Sequence, residues 1–188
     1  AAIAAARAAG VQPALVGPRV IGPSHRGYVE RLLALDAGAM LVGNLGTLAM
    51  LRAARPGWLA VGAASLNAVN WPAGRALREL GLDVLTPGDD VDGPALADLI
   101  ADSPPGAWEL PVRRHEVLFH TQYCLFSRHL GGGGPCDGCD RPCRTHELSL
   151  TDAAGRHYAV RPDAVGRFDI IAAEASSRRL PQRIHAPA

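Results

Sequence analysis

Outside one stretch, from Phe119 to His146, the sequence contains no cysteine, and that stretch holds all four. A disulfide framework spread through the fold is thereby excluded. Charge of one sign is not in excess either. Nineteen Lys plus Arg against 18 Asp plus Glu leave a formal net charge of +1, so bulk electrostatics argues for neither nucleic-acid nor anionic-membrane binding. No apolar run approaches the roughly 20 residues of a membrane span, and the alanine-rich start lacks the ordered regions of a signal peptide. These absences predict a soluble cytoplasmic protein with no membrane partner. No H-E-x-x-H helix and no G-x-S-x-G elbow occurs, which leaves metalloprotease and serine-hydrolase chemistry without a motif. The chain also starts A-A-I-A-A-A-R, without an initiator Met.

What is present is an alternation of short apolar runs and amphipathic segments over a chain of 188 residues, long enough for one domain with a core. The first unit pairs a strand over Ala14 to Ile21 with a helix capped by Ser24, with Tyr28, Leu32, Leu33 and Leu35 on its apolar face. A strand at Ala39 to Gly43 precedes a helix from about Leu48 to Arg55. Trp58 to Asn67 and a helix from Pro72 to Leu80 form the third unit, with Gly81 as its stop. Asp83 to Pro87, the cap Asp92 and a helix from Pro94 to Ala101 form the fourth, and a fifth strand is expected at Trp108 to Val112. After Ala172 the pattern predicts a short helix and a fraying tail, with Arg178, Arg179 and Arg183 on a solvated face.

Successive βα units imply α/β architecture with a parallel sheet. Their spacing suits a (β/α)₈ barrel, but this chain is shorter than the roughly 250 residues such a barrel takes. The pattern alone therefore favours an open sheet. In either architecture ligands bind beyond the carboxyl ends of the strands. The polar residues expected there are Arg19, Asn44, Ser65, Asn67, Asn70, Thr86, Asp89 and Asp90, followed by Arg113, Arg114, His115 and Glu116. Asn44, Ser65, Asn67, Asn70 and Asp90 are candidate contacts to an oxygen-rich small molecule, although side chains of these types also cap helices.

The cysteines fall past the fifth expected strand, Cys124 first and then Cys136, Cys139 and Cys143 with the spacing C-x₂-C-x₃-C. Clustered reduced thiols suit a tetrahedral zinc or an iron-sulfur cluster. One run carrying three cysteines, with the fourth remote, leans toward the cluster. Gly131 to Gly134 let the loop double back toward Cys124. His120, His129 or His146 is an alternative ligand at a zinc, and His115 and His120, flanking V-L-F, are placed for acid-base work. The expected division is a βα-repeat part over 1–115, a Cys-rich metal-binding insertion over 116–150 and a C-terminal segment over 151–188.

The segments L-V-G-N-L-G-T-L (41 to 48), S-L-N-A-V-N (65 to 70), E-L-G-L-D-V-L-T-P (79 to 87), L-F-H-T-Q-Y-C-L-F (118 to 126) and C-D-R-P-C (139 to 143) together resemble the U-thirty-two peptidase family, the collagenase-like peptidases. The resemblance runs from about Pro18 to Asp169. It implies a partial TIM-like (β/α) barrel, later strands only, with the earlier strands outside this sequence or supplied by a partner subunit. It further implies a [4Fe-4S] cluster and oxygen-independent hydroxylation of RNA or of a quinone-like ring, with a small anionic co-substrate. Cys124, Cys139 and Cys143 fall on family cysteine positions, with Cys136 standing in as fourth ligand, and Arg113, His115 and His120 are the candidate catalytic residues. The chain departs from the family at Gly43, where an arginine is usual, at Gly166, where a cysteine is usual, and at Phe168 and Asp169. The alternatives are a peptidase, as the family label says, and a degenerate metal-binding protein without catalysis.

Overall fold

The computed structural model describes residues 1–111, 113–132, 139–162 and 168–177. They form two compact units, one within Ala1–Val112 and one over Arg113–Ser177. The first alternates helix and strand: α1 (Ala2–Ala8), β1 (Leu15–Val16), α2 (Arg26–Leu33), β2 (Ala39–Val42), α3 (Leu45–Ala54), β3 (Leu59–Gly62), α4 (Trp71–Glu79), β4 (Val84–Leu85) and α5 (Gly93–Ala101). Its four strands are parallel and lie in the order β1-β2-β3-β4. The run A-M-L-V of β2 is apolar throughout because a strand covered on both faces has no solvent side to mark. Met40 and Val42 of this strand pack with Val29 and Leu33 of α2, with Leu48 and Leu51 of α3, and with Ala60, Leu82 and Leu85.

The strands are shorter than the apolar runs suggest. α3 begins at Leu45, not near Leu48, because Asn44 caps it. Ser24 caps nothing. The chain enters α2 through a 3-10 turn, Pro23–His25, in which the Gly22 amide donates to His25 Nδ1 at 2.9 Å. The strand expected at Trp108 to Val112 is reduced to a single parallel bridge between Leu85 and Trp108, and Val112 lies outside the described residues. Trp108 instead fills the space over Gly74 of α4, where a Cβ would stand 2.8 Å from its ring.

One side chain ties together the loops that lead into β3 and β4. The guanidinium of Arg52, on α3, donates to the carbonyls of Gly81 (2.8 and 2.6 Å), Pro56 (3.0 Å) and Trp58 (2.7 Å) and to Asp83 Oδ2 (2.7 Å). Asp83 Oδ2 also accepts the Ala60 amide at 2.7 Å, which fixes the entry of β3 beside that of β4. The chain contains no lysine, and a compact ammonium could not span these acceptors, which lie on two segments, 56–58 and 81–83. Arg52→Lys is expected to cost about 2 kcal/mol in urea unfolding, and an unchanged midpoint would show that the guanidinium does not hold these loops.

The second unit is an antiparallel sheet of β5 (Arg113–Thr121), β6 (Leu148–Thr151), β7 (His157–Pro162) and β8 (Phe168–Ser177), in the order β5-β8-β7-β6, with α6 (Leu125–Leu130) after β5. The segment after Ala172, read as helical, is strand as far as Ser177; Arg178, Arg179 and Arg183 lie outside the described residues. Cysteine-rich segment and C-terminal strands thus share one unit, whose boundary falls at Val112/Arg113. Pairing of β5 with β8 slips twice, between His115 and Val117 and between Val117 and Phe119.

The β6–β7 hairpin turns on Asp152. Its carboxylate accepts the amides of Ala154 and Arg156 (both 2.9 Å), the Arg156 Nε (2.7 Å) and the Tyr158 hydroxyl (3.0 Å). The Arg156 amide is the largest influence holding its pKa down at about 2, with the Arg156 guanidinium, Tyr158 and Ala154 adding and desolvation opposing. A folded pKa below the unfolded one means the turn gains stability above the ordinary carboxylate range and loses it as pH falls through about 2. The Ala154 and Arg156 amide resonances are expected to titrate with that midpoint, and the transition to vanish in Asp152→Asn.

Candidate functional site

At the carboxyl ends of β1, β2 and β3 the first unit opens into a cavity of about 570 Å³, lined among others by Arg19, Ile21, Asn44, Gly46, Ser65 and Leu66. Sequence reasoning placed Arg19, Asn44 and Ser65 at this rim, and the fold brings them together. Two of the three are committed to the scaffold. Asn44 Oδ1 accepts the Thr47 amide at 2.8 Å while its Nδ2 donates to the Pro18 carbonyl at 2.7 Å, so one amide caps α3 and locks the loop after β1. Ser65 Oγ donates to the Gly43 carbonyl at 2.9 Å. Arg19 is exposed and, among the described residues, has no hydrogen bond or ion pair. It is the charged group this mouth offers to a ligand.

Gly43 has a steric reason. A Cβ there would stand 2.9 Å from Arg19 Cα and 3.1 Å from the Pro18 carbonyl oxygen, both backbone atoms. No side chain, and so no arginine, fits at the end of β2 on this backbone.

The remaining rim candidates lie apart from the cavity lining. Asn70 caps α4 by accepting the Ala73 amide at 2.9 Å, and Asp92 caps α5 in the same way. Asn67 takes a left-handed conformation, φ 56°, at the end of a 3-10 turn. Thr86 Oγ1 donates to Glu109 Oε1 at 2.9 Å. Asp89 and Asp90 are exposed in a turn.

In the second unit, Cys124 is the N-cap of α6, its Sγ accepting the Ser127 amide at 3.2 Å. Cys143 sits in the 3-10 turn Pro142–Arg144. Both thiols pack against one apolar cluster, Phe126 and Val160 with Leu125, Leu148 and Ile170. Cys139 is half-buried, and all three described cysteines are free thiols. Cys136, Gly133, Gly134 and Gly166 lie outside the described residues. The chemistry of the donors fits a soft metal centre, and Cys124 and Cys143 approach the same core from opposite ends of the loop. Among the described residues no three His, Cys, Asp or Glu side chains converge as a metal-binding group. A cavity of about 490 Å³ beside Cys143 is lined also by Phe126, Arg144, His146, Glu147 and Arg161. His129 is exposed on α6.

His120 lies on β5 directly opposite Asp169 of β8, and its Nδ1 stands 2.6 Å from Asp169 Oδ1. Its side chain is 11% exposed, and its Nε2 is buried without a hydrogen-bond partner. Arg113 and His115 pair with Ser177 and Ala175 on the same strand, and their side chains lie outside the described residues. Asp169 is the residue that sequence reasoning missed as a site residue. It is 49 positions from its histidine, and only strand register brings them together.

Comparison with family models, with curated proteins and with solved structures finds no match to this chain. Among the described residues no helix is long and apolar enough to cross a membrane.

Asn44→Asp keeps the cap on α3 but loses the donor to Pro18. It is expected to destabilise by about 1 kcal/mol, and Asn44→Ala, which loses both bonds, by about 2 kcal/mol, each read as a shift in urea midpoint.

Proposed function

We propose that this chain is a cytoplasmic protein similar to the U-thirty-two peptidase family, carrying the later strands of a TIM-like barrel and an iron-sulfur cluster. Its reaction is oxygen-independent hydroxylation of RNA or of a quinone-like ring. The ligands are Cys124, Cys136, Cys139 and Cys143, and the cluster, when bound, supplies the electron transfer that such chemistry needs. The observation that carries the reading is the convergence of Cys124 and Cys143 on the Phe126–Val160 core. A site of this kind is half-buried and held by packing, as a redox centre shielded from water requires. The strand order of the first unit supports the barrel, because it runs β1 to β4 without the reversal that defines a doubly wound sheet. Arg19, facing the mouth cavity, suits an anionic co-substrate, and Arg113, His115 and His120 remain the candidates for acid-base work.

A degenerate, non-catalytic protein is the second reading. It is favoured by the commitment of Asn44, Ser65 and Asn70 to backbone groups, which takes these polar side chains out of substrate recognition.

Anaerobic purification with iron, sulfide and zinc analysis and visible absorption separates the readings. The cluster predicts a brown protein with about four iron and four sulfide per chain, lost in Cys143→Ser and in Cys136→Ala. Zinc without sulfide, or no metal at all, would overturn it.

A further inference from the structure

The cross-strand pair of His120 and Asp169 is preset for one kind of ligand contact. Residues directly opposite in an antiparallel ladder share a face, and the register continues the row to Arg161 of β7, which lies opposite Asp169. The next row, Phe119, Ile170 and Val160, points to the other face, where Ile170 and Val160 join the cluster that holds Cys124 and Cys143. The alternation of side chains therefore turns His120 and Asp169 away from Ile170 and Val160.

Asp169, as a carboxylate, accepts the proton on His120 Nδ1 across 2.6 Å. In the neutral ring that commitment leaves a lone pair on Nε2, the buried atom without a partner. Buried polar atoms in native proteins are almost always paired, so an orphan held in place by a carboxylate calls for a partner outside the chain. Its chemistry narrows the partner to a hydrogen-bond donor. Arg161, exposed and without an ion pair among the described residues, stands in the same row and disfavours an ammonium or a metal cation. Among the described residues no third His, Cys, Asp or Glu joins this pair to make a metal-binding group. A neutral donor remains, and among neutral donors a hydroxyl is the one whose proton an imidazole can take up.

The geometry points to His120 as the proton acceptor for a hydroxyl-bearing ligand, with Asp169 as the positioning residue that keeps the lone pair on Nε2. In the step itself the ligand O–H bond breaks as the Nε2–H bond forms. The imidazolium is held against the ionised Asp169, and the ligand is left as its oxyanion until the proton returns. The assignment is independent of what the four thiols bind.

Long-range proton–nitrogen spectra of the full chain labelled with ¹⁵N-histidine test it, with His120 identified by its loss in His120→Gln. The expected wild-type signal is a neutral ring protonated at Nδ1, whose Nε2 resonance shifts on addition of phenol and stays put on addition of anisole, the same ring without a donor. Asp169→Asn is expected to move the proton toward Nε2 and abolish the phenol response, and Asp169→Glu to restore both. A wild-type ring protonated at Nε2 with Nδ1 bare overturns the proposal, as does an Nε2 resonance indifferent to phenol. Should Asp169→Asn fail to fold, the wild-type spectra alone decide between these outcomes.

Discussion

The parallel unit depends on satisfying backbone carbonyls where its short strands begin, and Arg52 does most of that. Strands of two to four residues carry few ladder hydrogen bonds, so their relative height has to be set from outside the ladder. The Arg52 fork does this by holding the turn after α3 and the approach to β4 on one planar group. Asp83 closes the arrangement by accepting both the guanidinium and the amide at the second residue of β3. Arg55 extends it, donating to the Leu33 carbonyl at the end of α2. With the amino-terminal side of the sheet pinned in this way, the carboxyl-terminal side is left to form a cavity.

At that opposite end the same economy decides what polar side chains are for. A loop that must cross a strand end leaves amides and carbonyls exposed to an apolar core, and the nearest polar side chains answer them first. Asn44 therefore serves the Thr47 amide and the Pro18 carbonyl, and Ser65 serves Gly43. A guanidinium has reach to spare, and Arg19 keeps its charge over the cavity. In this protein the mouth is left with one long charged side chain and the shape of its apolar wall, and its short polar residues hold that shape.

The parallel half of the fold was legible in the sequence because its signals are local. The apolar run from Ala39, the cap Asp92 and Gly81 past α4 each act within a few residues, whereas Asn70, read as a ligand contact, caps α4. The antiparallel half was not. L-S-L-T and H-Y-A-V-R-P alternate too briefly to separate strand from loop, and E-A-S-S near the end of β8 has the composition of a helix terminus overruled by its neighbours in the sheet. The thiols announced themselves by spacing, and Cys124 and Cys143 do meet one core. Asp169 could not be found in that way. Its role follows from register, and register is set by the hairpin and the bulges, which no single window of sequence contains.

Those bulges matter beyond the position of His120. β5 is the outer strand of its sheet and carries Leu118 and Phe119 exposed, the latter at 66%. A straight nine-residue edge with such side chains would offer an unbroken row of amides and carbonyls to any extended chain that drifted past. The slip between Val117 and Phe119 sets two steps of β5 against one of β8 and so breaks the spacing of that row and twists it. The irregular strand that presents His120 is thereby also a poor template for growth, and it guards the protein against edge-to-edge aggregation.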